Sequence, residues 1–96
     1  MVITSTVGRH VWYYPSGFNS ATDQPLAAII AHVWSDSCVN LAIFDANGRP
    51  FPSPPTSILL VQEGNPVPTG GMYCRWMDWQ LEQAKKATAE AVTAGA

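Results

Sequence analysis

The sequence predicts a mainly β fold: a small SH3-like or OB-like barrel of about five strands with a C-terminal helix. Three observations lead there. Short apolar stretches rich in β-branched and aromatic residues recur along the chain at strand length. Breaks containing proline, glycine, serine or aspartate separate them. From Asp78 onward the composition switches to helix formers. On this reading residues 1–77 form the barrel domain and residues 78–96 a helix and tail. A two-layer α+β arrangement is the alternative.

Residues 9–14 make the first strand, ended by Pro15-Ser16-Gly17. A loop through Phe18, Asn19 and Asp23 leads to the second strand, residues 26–34. Ser35-Asp36-Ser37 is a turn short enough to force an antiparallel hairpin with the third strand, residues 38–44. Asp45-Ala46-Asn47-Gly48 is a turn with a glycine available for positive φ. Residues 50–55 hold too many prolines to continue a ladder and read as an extended loop along an edge. Residues 57–62 form the fourth strand, residues 64–71 a loop, and residues 72–77 a fifth strand or the lead-in to the helix. Asp78 is the expected N-cap, with Trp79 and Leu81 docking the helix.

Composition excludes several classes of function. The chain has 96 residues, enough for one small core. Charged residues make up 12% of it, against about 25% in ordinary soluble domains, which leaves apolar or neutral surface that a second subunit could cover. A homo-oligomer is therefore the expected state. Five Lys and Arg against seven Asp and Glu, with no basic run, argue against DNA or RNA as partner. No apolar stretch reaches the roughly 20 residues of a membrane span. No signal-peptide pattern opens the chain, and a cytoplasmic location in the producing cell is expected. Cys38 and Cys74 sit in strand-like stretches and read as buried free thiols.

No motif points to catalysis. His10, His32, Cys38 and Cys74 lack the close-paired spacing of zinc ligands. Ser35, Asp36 and Ser37 stand near His32, but turn residues satisfy local hydrogen bonds more readily than they build a triad. The glycines of residues 64–71 come without the lysine of a phosphate-binding loop. The expectation is a protein that is not an enzyme and carries no cofactor.

The aromatic strand segments remain: His10-Val11-Trp12-Tyr13-Tyr14, His32-Val33-Trp34 and Tyr73-Cys74-Arg75-Trp76. Strict alternation puts Ala28, Ile30, His32 and Trp34 on one face of the second strand and Ala27, Ile29, Ala31 and Val33 on the other. In the third strand Val39, Leu41 and Ile43 make a purely apolar face, the better core candidate. His32, Trp34 and Asn40 then share a less apolar face across the hairpin. That face serves as ordinary packing, as a subunit interface or as the wall of a ligand pocket.

The order of segments resembles a family of small phage and prophage proteins. The matching pieces are Gly8-Arg9-His10-Val11-Trp12-Tyr13, Ala27-Ala28-Ile29-Ile30, Cys38-Val39-Asn40-Leu41-Ala42-Ile43-Phe44, and the Gly70-Gly71 pair before an aromatic cluster. Members often close on a Trp-His-Trp-like cluster, where this chain has Tyr73-Cys74-Arg75-Trp76. The resemblance implies a viral origin, with action in the host-cell cytoplasm or in the virion. Phage proteins of this size inhibit the host or serve in the particle. The expected function is a non-enzymatic oligomeric sponge that sequesters a nucleotide-derived host immune messenger, with a capsid or tail accessory protein as the alternative. The candidate ligand surface is Trp12, Tyr14, His32, Trp34, Asn40, Arg75 and Trp76. Aromatic rings would stack on bases, Arg75 would meet phosphate, and His32 and Asn40 would read polar edges.

Overall fold

The computed structural model describes residues 2–95, with helix side chains as far as residue 87. The strands are β1 (His10–Tyr14), β2 (Leu26–Ser35), β3 (Cys38–Ile43), β4 (Ile58–Val61) and β5 (Tyr73–Arg75), followed by helix α1 (Asp78–Gly95). They close into a barrel in the order β1-β2-β3-β4-β5. Sequential strands pair antiparallel up to β4, β5 returns antiparallel to β1, and a parallel β4–β5 pair seals the cylinder. This is a meander with its last strand brought back beside the first. This matches the expected small SH3-like or OB-like barrel of five strands with a C-terminal helix. The expected tail beyond Gly95 lies outside the described residues.

Alternation builds the core. Val11 and Tyr13 of β1, Val39, Leu41 and Ile43 of β3, Ile58 and Leu60 of β4 and Cys74 of β5 all point inward. Ile3 plugs the barrel from the N-terminal segment, and Trp76, just past β5, folds in beside it.

β2 departs from strict alternation. Its register against β3 shifts between Ile30 and His32 and again between Val33 and Ser35. Ala28 and Ile30 face the core opposite Ile43 and Leu41, yet beyond the first bulge Val33 takes the inward place. The extra residue carries His32 outward, opposite Asn40. An unbroken strand would have driven an imidazole into an aliphatic core, where an unpaired polar group is costly. The expectation that Ala28, Ile30, His32 and Trp34 share a face is corrected accordingly.

Asp45 caps its own turn, accepting from the backbone N–H groups of Asn47 and Arg49 at 2.9 Å each, with Gly48 at φ 80°. The proline-rich segment leaves β3 through a Phe44–Pro50 bridge and packs Phe51 against the core.

The helix N-cap is Met77, not Asp78. The Met77 carbonyl accepts from the N–H groups of Gln80 and Leu81, and the Gln80 side chain reaches back to the Met77 N–H at 2.9 Å, half of a capping box. Asp78 falls in the first turn, where a carboxylate favours the positive end of the helix dipole. Leu81 and Ala84 pack on the barrel, but Trp79 is 71% exposed and does not dock as expected. Lys85 reaches Glu63 at 2.6 Å, tying the second helical turn to the end of β4.

Candidate functional site on the outer barrel surface

The bulge in β2 assembles a polar-aromatic cluster on the outer surface. His32 and Asn40 are register partners. The rings of His32 and Trp34 meet edge to face at 4.5 Å between centroids. Trp34 Nε1 donates to Asn40 Oδ1 at 3.1 Å, and the same oxygen accepts from the Ser57 N–H at 2.7 Å. Ser57 holds a positive φ of 54°, a region a side chain seldom adopts, so backbone conformational energy is committed to this hydrogen bond. Trp34 is nevertheless 61% exposed. Its indole is oriented by a hydrogen bond and a neighbouring ring while one face stays open to solvent. Asn40 spends both acceptor positions internally, which turns its amide N–H groups toward other acceptors. Leu59, exposed on β4 and paired with the half-buried Cys38, continues the surface with an apolar side chain.

The remaining sequence candidates lie elsewhere. Trp12 is half-buried on β1, opposite Ala27 on one side and Arg75 on the other. From Ala27 to Trp34 is about 23 Å of strand at about 3.3 Å per residue. Arg75 is held by Asp78 at 3.6 Å. Tyr14 stacks on Tyr73 at 4.6 Å and meets the edge of Phe18 at 4.8 Å. Burial raises the Tyr14 hydroxyl above the ordinary tyrosine value, and the Arg75 guanidinium beside it partly opposes that rise. A small pocket of about 140 Å³ opens between Phe18, Tyr73, Pro68 and Gly70.

Trp76 is a correction. At 1% exposure it belongs to the core, and its Nε1 donates to Gln62 Oε1 at 3.0 Å. No face of it is open to a stacking ligand. The seven candidates therefore divide into a His32–Trp34–Asn40 cluster, a Trp12–Tyr14–Arg75 region beside β5 in which Tyr14 is itself buried at 7% exposure, and Trp76 in the core. Sequence reasoning missed Ser57, Phe18 and Leu59. The Phe18 loop gave no periodic signal, and Ser57 acts through its backbone.

Both cysteine thiols are free. Burial pushes the Cys74 thiol up to about 12, with Cys38 adding to the rise. Among the described residues no group of three or more His, Cys, Asp or Glu side chains is placed to hold a metal ion. No helix there is long and apolar enough to cross a membrane. Comparison with protein families, curated proteins and solved structures returns no match.

Proposed function

We propose that this is a non-enzymatic binding protein whose β2–β3 surface stacks a planar, nucleotide-like ligand on Trp34. The observation that carries the reading is the state of that indole: exposed, yet oriented by Asn40 and His32. Ordering a flexible aromatic side chain on binding costs free energy, and a ring already held in place avoids that cost. Asn40 and His32 would read the polar edge of the stacked ring.

Arg75 belongs to the Trp12–Tyr14 region and is not part of the Trp34 cluster. The low charge count supports assembly into an oligomer, in which Arg75 of a neighbouring copy meets the ligand held by Trp34. Together with the resemblance to small phage proteins, this makes the protein a sponge that sequesters a nucleotide-derived host immune messenger. Thermal-shift screening against cyclic oligonucleotides and ADP-ribose derivatives tests it. Stabilisation by at least one compound is expected; no response to any of them would sink the reading.

The alternative is a virion accessory protein, favoured by the exposed Trp34 on β2 and Leu59 on β4, on either side of β3, which would suit a protein contact. Stoichiometric recovery from purified particles by peptide mass spectrometry would decide for it.

A further inference from the structure

A second concave surface shares no residue with the Trp34 cluster. Between the N-terminal segment, the start of β1 and the first turns of α1 lies a groove of about 590 Å³. That is the size range of small-molecule sites. Val2 and Trp79, 62% and 71% exposed, supply its apolar walls, and Arg9, Gln80 and Gln83 supply its polar ones.

Both walls are fixed. Gln80 Nε2 donates to the His10 carbonyl at 2.8 Å, pinning the helix start to β1. The backbone around Arg9 is laced to β2: the Gly8 N–H donates to the Ile30 carbonyl and the Ile30 N–H to that of Arg9. The Arg9 guanidinium lies 5.7 Å from the centre of the Trp76 ring, which it covers from outside. Among the described residues no carboxylate lines the groove and Arg9 has no ion-pair partner.

A cation without an acid, a primary amide and an exposed indole, arranged around one groove, match an anion carried on a planar body. We propose that this groove binds a small aromatic anion, with the planar ring against Trp79 and a phosphate or carboxylate on Arg9, where Gln83 donates a further hydrogen bond. An arginine fork meets such a group through two parallel hydrogen bonds. Stacking on an exposed indole adds affinity with little demand on ring identity. Trp79, left undocked by the helix, thereby acquires a role. The proposal does not rest on the Trp34 reading.

Calorimetry with adenosine monophosphate as probe, and with adenosine and inorganic phosphate as its halves, tests it. The monophosphate is expected to bind more tightly than either half. Trp79→Ala should weaken it about tenfold or more, and Arg9→Gln should erase the advantage over adenosine. Arg9→Lys should keep part of that advantage. All titrations are run in the Trp34→Ala background, where the other stacking surface is gone: monophosphate binding that persists there belongs to the groove, and its loss there would overturn the groove while leaving the Trp34 site standing. Trp79 is exposed, so its variant should keep the wild-type melting curve. The proposal is overturned if the monophosphate does not bind, if adenosine binds equally well, or if Trp79→Ala and Arg9→Gln both bind like wild type.

Discussion

Gln62 occupies every hydrogen-bonding position of its amide. Its Oε1 accepts from the Ile3 N–H and from Trp76 Nε1, and its Nε2 donates to the Ile3 and Asp36 carbonyls. At 3% exposure it ties the N-terminal segment, the β2–β3 turn and the tryptophan after β5 to the end of β4. Gln62→Ala strands these partners and is expected to cost about 3 kcal/mol in urea unfolding. Nothing in the sequence singled out this glutamine, because its importance arises from segments far apart in the chain. Trp76 was misread for the same reason. An aromatic beside an arginine looks like a ligand surface until the chain turns inward after β5. Cys74 behaves more simply. Its ordinary value of 9.0 rises to about 12 in the folded state, so the folded protein favours the protonated thiol. The associated stability is fully present below about pH 9 and is lost as pH rises toward 12. Denaturation midpoints should fall across that alkaline window, and less so in Cys74→Ala.

At the scale of elements, the β2–β3 hairpin was legible from the short Ser35-Asp36-Ser37 turn and from the aliphatic face of Val39, Leu41 and Ile43. The grouping of His32, Trp34 and Asn40 was legible too. The bulge that produces it was not, since an inserted residue changes no composition and only the cross-strand register records it. β1 and β4 keep the alternation except at their last residues, where Tyr14 and Val61 are buried beside Tyr13 and Leu60. Among its described side chains, helix α1 meets the barrel through Leu81, Ala84, the Gln80–His10 hydrogen bond and the Lys85–Glu63 pair. The ion pair lowers the Glu63 value through the hydrogen bond from Lys85 and raises that of Lys85. Leu81→Ala should cost about 1–2 kcal/mol and release the helix first, seen as lost helical circular dichroism before barrel unfolding. Trp79→Ala should leave that signal in place.

At the scale of the whole molecule, barrel closure leaves the described strands without an open edge for pairing to another chain. A contact between copies must therefore use side-chain surfaces. In the proposed oligomer, the exposed Trp34 and Leu59 would put that contact on the β2–β4 side of the barrel. The central claim is that Trp34 is an oriented stacking surface and not a packing residue. Calorimetric titration of Trp34→Ala beside wild type, using the messenger-like compound that stabilises wild type most, tests this directly. Unfolding stability should stay within about 0.5 kcal/mol, as for an exposed side chain, while affinity falls about tenfold or more. Undiminished affinity in the variant would contradict the account.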